Sequence, residues 1–453
     1  MSFFKSRSST AHLGQKKGNE TLCAVDLGSS RVRIAAGRVS NDMQLEILGF
    51  SEVPSAGIIK GAVTDISKLS QVLSGLLISF NEKYGISSNR YLVGVAGSFI
   101  ESCNERGTAT VQSGVITLAD RNRAIENARA GISFNGNEFE IVHVIPQNFI
   151  TETSAEIQNP VGQYAKRLEV NTHIIGCSKM QARNLCHVFT QLSSDFSVEC
   201  LAYNGIAAAD SVLTDGEKEI GVCLIDIGAG TVDVAIYDNK RLIFSFGFNE
   251  GGEYITTTIA KEYGISMKAA EQVKIQFGVA DQRFLTEEEQ SSIVEVPMID
   301  NFTGIMNTVR ISRYQLAASI NRILRDIFRR IFDRITGFIN SGKYNSLNLG
   351  AGYVITGGVA KTKFIERLLY ESDMYGNYQE GTNAKIRVGH PLGVVSNLEN
   401  RQILGESDKA VVLGLLRCGK RAALERQRME NDGSGASVGS AWKRFKLWID
   451  REL

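Results

Sequence analysis

Two stretches of the chain repeat one pattern of apolar and polar positions. Residues 23–37 read CAVDLGSSRVRIAAG, and 200 residues later residues 223–237 read CLIDIGAGTVDVAIY. Each copy is an apolar run, then Asp-x-Gly with small residues, then a second apolar run too close to the first for a helix. The pattern predicts two β-hairpins, and their duplication predicts two related domains facing one another. From Ser312 to Ile335 the period changes to that of a helix. Ile320, Ile323, Leu324, Ile327, Ile331 and Ile335 share one face, while Arg322, Arg325 and Arg329 fall together on another. Between Arg90 and Val170 the pattern reads strand (Tyr91 to Val95), helix (Ala119 to Ala130) and strands (Glu140 to Ile150), with a turn at Gln158 to Gly162.

The hairpin turns carry candidate chemistry. Gly28 and Gly228 let backbone amides approach an oxyanion, and successive amides in such turns form a concavity suited to phosphate. Ser29, Ser30 and Thr231 add hydroxyl donors, and Gly230 continues the second turn. Asp26 and Asp226 close their strands at equivalent places, where a carboxylate can hold a water of Mg²⁺ bridging two phosphates. The plain alternative is a pair of ordinary hairpins whose Asp residues serve the turns. Gly251 and Gly252 join a strand to a helical stretch, so their amides could cap a ligand. Glu271 and Lys274 lie three apart on one helical face, either as polar groups for a ribose and an adenine edge or as a solvated ion pair. Thr356-Gly357-Gly358-Val359 ends a buried strand in a turn against which a flat base could lie. The chain contains no Gly-x-x-x-x-Gly-Lys-Ser/Thr loop.

Composition narrows the classes. Fifty Lys+Arg against 49 Asp+Glu leave +1, which argues against a surface that coats a polyanion, and no nucleic acid partner is expected. Seven Cys without a Cys-x-x-Cys pair predict a reducing compartment and no structural zinc. No signal peptide and no uncharged run of bilayer length is evident. Met429 to Ser440 read as a polar tether. Beyond it, Trp442, Phe445, Trp448, Ile449 and Leu453 fall within an arc of roughly 140° at helical spacing. Lys443, Arg444 and Arg451 lie opposite, with Lys446 at the boundary. The pattern predicts an in-plane membrane helix, against the alternative of a terminal helix docked on its own body.

Two phosphate hairpins, a Glu-x-x-Lys helix and a late Thr-Gly-Gly turn, in this order, resemble the actin-like ATPase superfamily. Within it the chain resembles the FtsA family of bacterial cell division. That likeness rests on His143-Val-Ile-Pro-Gln147, Ile157 to Gly162, Leu168 to His173, Ser211 to Thr214, Arg387 to Leu392 and Ala436 to Arg444. The resemblance implies an α/β, actin-like two-lobed ATPase fold. Its core would be a duplicated ribonuclease H-like unit, each lobe a five-stranded sheet, with an inserted small α+β subdomain 1C and a C-terminal amphipathic helix. Expected boundaries are a tail at 1–20, lobe 1 at 21–89 and 171–205, and subdomain 1C at 90–170. Lobe 2 takes 206–380, with subdomain 2B about 243–335, followed by a return to lobe 1 at 381–420. A flexible linker at 421–440 and the membrane helix at 441–453 complete the chain.

The resemblance further implies ATP and Mg²⁺ as ligands, self-assembly into filaments, and anionic lipid as a partner. The FtsZ C-terminal tail would meet Arg322, Arg325 and Arg329, and later division proteins would meet subdomain 1C. The chain would sit at the cytoplasmic face of the inner membrane, at the division site, and tie FtsZ filaments there. Ala229 stands where the family has a third Gly, which requires a negative φ, and Arg31 stands where a Lys is common. No general base for water attack is evident, so at most slow hydrolysis is expected. Two other readings stay open: an actin-like component of type IV pilus machinery, and a sugar kinase-like enzyme of the same superfamily.

Overall fold

The computed structural model describes residues 21–431 apart from 43, 133, 135–137, 155, 300–305, 342–346, 348, 373–384 and 397–404. Lobe 1 opens with the meander β1 (Leu22–Leu27), β2 (Arg31–Val39) and β3 (Leu45–Pro54). A short hairpin follows, β4 (Ile58–Ile59) and β5 (Ala62–Val63), then α1 (Ile66–Tyr84) and β6 (Arg90–Val95). The insertion is β7 (Ile100–Thr110), α2 (Leu118–Ala130), β8 (Phe139–Ile150) and β9 (Arg167–Ser178). The chain then returns through α3 (Lys179–Thr190), β10 (Ser197–Tyr203) and α4 (Asn204–Val212).

Lobe 2 begins with α5 (Asp215–Ile220), β11 (Val222–Ile227), β12 (Val232–Asp238) and β13 (Arg241–Phe248). Next come α6 (Gly252–Tyr263), α7 (Met267–Phe277), α8 (Glu287–Ser291), the hairpin β14 (Ile293–Ile299) and β15 (Met306–Ser312), and α9 (Arg313–Asn340). It closes with β16 (Gly352–Thr356), α10 (Ile365–Ser372) and β17 (Ile386–Val388). β18 (Val394–Ser396) and α11 (Ala410–Asn431) belong to lobe 1 again.

The strand orders reveal the duplication. Lobe 2 reads β13-β12-β11-β16-β17, and lobe 1 reads β3-β2-β1-β6-β10 with the same pairing senses. β18 adds a sixth strand, parallel to β3, where five were expected. Lobe 1 buries β1, β2, α1, α4 and the first turns of α11 in one core, and lobe 2 buries β11, β12 and the Ile face of α9 in another. All six apolar residues read on that helix face are buried.

Several boundaries move. β6 pairs in parallel with β1 (Val25↔Val93) and with β10 (Val93↔Leu201), so residues 90–95 are lobe 1 core and the insertion starts after them. β9 keeps pairing with β7 as far as Cys177↔Ile100, so the insertion ends nearer 178 than 170. α4 packs into the lobe 1 core, β13 is a strand of the lobe 2 sheet, and β17 pairs with β16. Lobe 2 therefore runs from about α5 to β17, and subdomain 2B starts after β13. Residues 421–431, read as linker, continue α11, because Arg-Ala-Ala-Leu-Glu-Arg-Gln is a run of strong helix formers. The tail at 1–20 and everything from 432, including the predicted membrane residues Trp442 to Leu453, lie outside the described residues. Among the described residues no helix is long and apolar enough to cross a membrane.

Candidate functional site

The two predicted phosphate turns face each other. Gly28 N donates to Arg31 O (3.1 Å) and Gly228 N to Thr231 O (2.9 Å), the same closure in both copies. A Cβ on Gly28 would sit 2.8 Å from Arg31 O, so a side chain there would force the turn open. A Cβ on Gly230 would run into Ser29 Oγ and lie 2.7 Å from Lys60 Cα, which places the second turn in contact with the first and with the β4–β5 tip. Ser29 Oγ accepts from Gly61 N (3.2 Å), which leaves its hydroxyl hydrogen free to donate. Ser30 O accepts from Ser55 N (2.9 Å).

Gly252 N donates to Gly228 O (3.0 Å) and Glu253 N to Ala229 O (2.8 Å). Of the two amides read as a ligand cap, that of Gly252 fastens the second turn to α6, as does the neighbouring Glu253 amide. A Cβ on Gly251 would lie 2.5 Å from Gly228 O, the reason for glycine at that point. Ala229 is absent from the described non-glycine residues with positive φ, so the alanine fits its turn.

Asp26 and Asp226 are both buried, at equivalent places in β1 and β11. Their cross-strand neighbours differ: Asp26 faces Arg33, whereas Asp226 faces Asp233. Burial raises the Asp26 carboxyl, opposed by Arg33 at 3.3 Å. Burial, with the charges of Asp233 and Asp26, drives Asp226 well above the ordinary carboxylate range. Burial also lifts Asp233 to about 7, although Gly97 N donates to it (2.8 Å). Of the three buried carboxyls only Asp26 touches a cation, and a divalent ion carried in with phosphates would suit that deficit. Among the described residues no group of three His, Cys, Asp or Glu side chains could hold a metal unaided. Water and phosphate oxygens would have to complete its shell.

Arg31 is exposed beside Glu52 (3.5 Å) and does not reach the carboxylates. Arg33 does, joining Asp26, Glu52 (3.0 Å) and Asp408 (3.0 Å). Asp408 also meets Lys361 (2.8 Å) and Lys409, which itself holds Glu52 (2.7 Å). Burial works to raise Asp408, but Lys361, Arg33 and Lys409 outweigh it and hold it at about 2. Ser407 accepts from Thr356 Oγ1 (2.9 Å) and donates to Gly357 O (2.9 Å), tying this strap to the Gly357-Gly358 turn. Sequence reading missed Arg33, Asp233 and Asp408. The alternation of β2 was the available signal for Arg33, but nothing local marks Asp408, 375 residues away.

Glu271 and Lys274 do come together with the other predicted residues. Lys274 Nζ lies 2.6 Å from Glu271, 2.8 Å from Thr256 Oγ1 and 3.0 Å from Gly252 O. A Cβ on Gly252 would be 3.0 Å from Val359 Cγ2, so α6, α7 and the turn after β16 converge on one wall of the cleft. The pair is an ion pair, yet it sits at that wall.

The arginines of α9 are not a bare basic ridge. Arg322 pairs with Glu262, Arg329 with Asp326, and Arg325 with Glu371 (3.4 Å) and Asp281 (3.5 Å). The acids come from α6, α9 itself, α10 and the segment after α7, which spacing along one helix does not display.

The insertion has a small core of its own, Ala109, Ile116, Ala124, Phe149 and Leu168 among it. It meets edge strand β13 through polar side chains. Ser102 Oγ donates to Ser245 O (2.5 Å), Asn104 Nδ2 to Ile243 O (2.9 Å) and Gln147 Nε2 to Leu242 O (2.7 Å). His173 Nε2 lies 2.8 Å from Ser245 Oγ, and burial depresses that imidazole to about 3. Beside this joint a cavity of about 730 Å³ opens between β8, α2, β10, α5 and α11, lined by Ile141, Pro146, Arg121, Lys218 and Arg421. It lies apart from the phosphate turns.

Comparison with known proteins adds two family matches. Residues 97–176 match the family described as the SHS2 domain inserted in FtsA, and residues 223–414 match the family described as cell division protein FtsA. The cell division protein FtsA of Neisseria meningitidis serogroup B is 30% identical over 341 residues, 75% of this chain and 78% of that protein. Among solved structures, a chain of the PilM–PilN type IV pilus biogenesis complex has a TM-score of 0.60 at 14% identity, covering 88% of this chain and 98% of its own. MreB5 of Spiroplasma citri bound to AMPPNP has a TM-score of 0.50 at 14% identity, covering 91% and 98%. The fold is actin-like.

Proposed function

Because the chain belongs to the FtsA family of cell-division proteins, we propose that it is an ATP-binding, self-assembling tether that fastens FtsZ filaments to the inner face of the cytoplasmic membrane at the division site. The observation that carries the nucleotide part is the meeting of the two glycine turns at Gly230 and Ser29, in front of the carboxylates of Asp26, Asp226 and Asp233. Asp26, Asp226 and Asp233 would face Mg²⁺ bound with ATP, which would supply positive charge beside them. Ser29, Ser30, Thr231 and the turn amides would hold phosphate oxygens. Gly357, Gly358 and Val359 would flank the base, and Glu271 with Lys274 would meet the ribose and adenine edges.

The C-terminal pattern of Trp442, Lys443, Arg444, Phe445, Lys446, Trp448, Ile449 and Leu453 supports an in-plane anchor on anionic lipid. One such helix binds weakly, and polymerisation multiplies it through avidity. The FtsZ tail is read as docking on Arg322, Arg325 and Arg329. Its carboxylates would compete with Glu262, Glu371 and Asp326 for those guanidiniums. Later division proteins are assigned to the insertion, whose β8 is an edge strand bordering the large cavity.

Co-sedimentation with anionic vesicles tests the tether. The full chain should pellet with vesicles in the presence of ATP, while a chain truncated before Ala441 and Trp448→Glu should stay in solution. Equal pelleting of all three, or of none, would remove the terminal helix as the lipid anchor.

A further inference from the structure

We propose that Lys60 is the cation that contacts the terminal phosphate of a nucleoside triphosphate and lets the protein tell it from the diphosphate; the assignment rests on the nucleotide reading above. Lys60 and Gly61 are the two residues between β4 and β5, where Ile59 pairs with Ala62. Both have positive φ, 51° and 77°. Such a two-residue turn ordinarily takes Asn-Gly or Gly-Gly, because a side chain in the left-handed region is strained. A lysine held there has a backbone chosen against, so its side chain needs a reason.

The surroundings supply one. Gly61 N donates to Ser29 Oγ of the first turn (3.2 Å), and Gln181 Nε2 donates to Gly61 O. A Cβ on Gly61 would lie 3.2 Å from Thr231 Cγ2 of the second turn, and one on Gly230 would lie 2.7 Å from Lys60 Cα and 3.0 Å from Lys60 N. Ser55 N on Ser30 O (2.9 Å) and Thr64 N on Gly57 O (2.9 Å) fix the loop that carries the hairpin. The tip is therefore wedged between both phosphate turns. Lys60 is exposed, and among the described residues its side chain enters no ion pair or hydrogen bond. Its flexible four-carbon stem carries a point charge suited to phosphate. Arg31, the cation that the motif itself offers, is turned to Glu52.

Lys60→Asn separates the two roles of this position, since Asn-Gly suits the turn better than Lys-Gly. In the full chain, the variant should keep or raise its melting temperature. Its affinity for a fluorescent ATP should fall about tenfold, the scale of one lost charge-assisted hydrogen bond, while affinity for the matching ADP changes less than twofold. Lys60→Arg should retain most of the discrimination. An unchanged ATP-to-ADP ratio in Lys60→Asn overturns the assignment while leaving nucleotide binding intact. Failure of the wild-type chain to bind either nucleotide would remove the nucleotide reading and this one with it.

Discussion

Asp210 offers the sharpest test of the physical reasoning. It lies in α4, fully buried, with Lys218 Nζ at 3.0 Å and Arg421 Nη1 at 2.5 Å, so it pins α5 of lobe 2 and α11 to lobe 1. Asp210→Asn keeps the shape and removes the charge. Arg421 is half exposed and can turn to water, but the Lys218 side chain is only 10% exposed and would be stranded. Breaking a buried pair on one side costs about 3 kcal/mol or more. With an unfolding entropy of about 2.1 cal/mol/K per residue, a cooperative transition of the whole chain would shift by roughly 3 °C. Differential scanning calorimetry reads that shift. Asp210→Asn with Lys218→Met should recover most of it, because both charges are then gone.

The pH dependence has a definite sign. Burial works to raise Asp210, but Lys218 and Arg421 outweigh it and hold the carboxyl below its ordinary value. Its contribution is therefore complete above the unfolded value of about 3.9 and is lost only as pH falls through the lower folded value. The gap between wild type and Asp210→Asn should stay constant around neutrality and narrow below about pH 4. A variant that melts with wild type, or a double variant as unstable as the two single losses added, refutes the pin.

Gly230→Ala should weaken ATP binding about tenfold, because its Cβ meets Ser29 and Lys60 and overpacking costs ~1–3 kcal/mol; unchanged affinity in a fluorescent-nucleotide titration would exclude the closed arrangement of the two turns. Arg322→Ala with Arg325→Ala should lower affinity for an acidic FtsZ tail peptide several-fold, while stability moves by about 1 kcal/mol, since Arg322 is largely exposed and Asp281, which Arg325 meets, keeps Arg283. Fluorescence anisotropy with that peptide checks it, and an unaltered curve would remove α9 as the docking face.

The hairpins were legible because alternation and Asp-x-Gly turns are local signals. The Ile face of α9 was legible for the same reason. Misreadings arose where distant chain decides. Tyr91 to Val95 reads as a strand in either unit, and only its parallel neighbours β1 and β10 assign it to lobe 1. Arg31 and Arg33 both alternate correctly, but the acid brought by Asp408 selects Arg33. Spacing along α9 groups its arginines on one face but does not show their partners, because Glu262 and Glu371 arrive from other elements. Gly-poor Arg421 to Asn431 reads as tether through its polarity, although polar residues there are good helix formers.

The insertion's seat on β13 has a mechanical consequence. It has a small core of its own, and the side chains that hydrogen-bond to β13, Ser102, Asn104, Gln147 and His173, are polar, while Ile175 and Cys177 of β9 pack into the lobe 1 core. Lifting the insertion from that edge would trade these bonds for water, each worth about 0.5–1.5 kcal/mol net, and the carbonyls of Leu242, Ile243 and Ser245 would become a free template. An edge held chiefly by hydrogen bonds and the Arg241–Glu156 ion pair (3.1 Å) is a latch that opens more readily than an oily joint would.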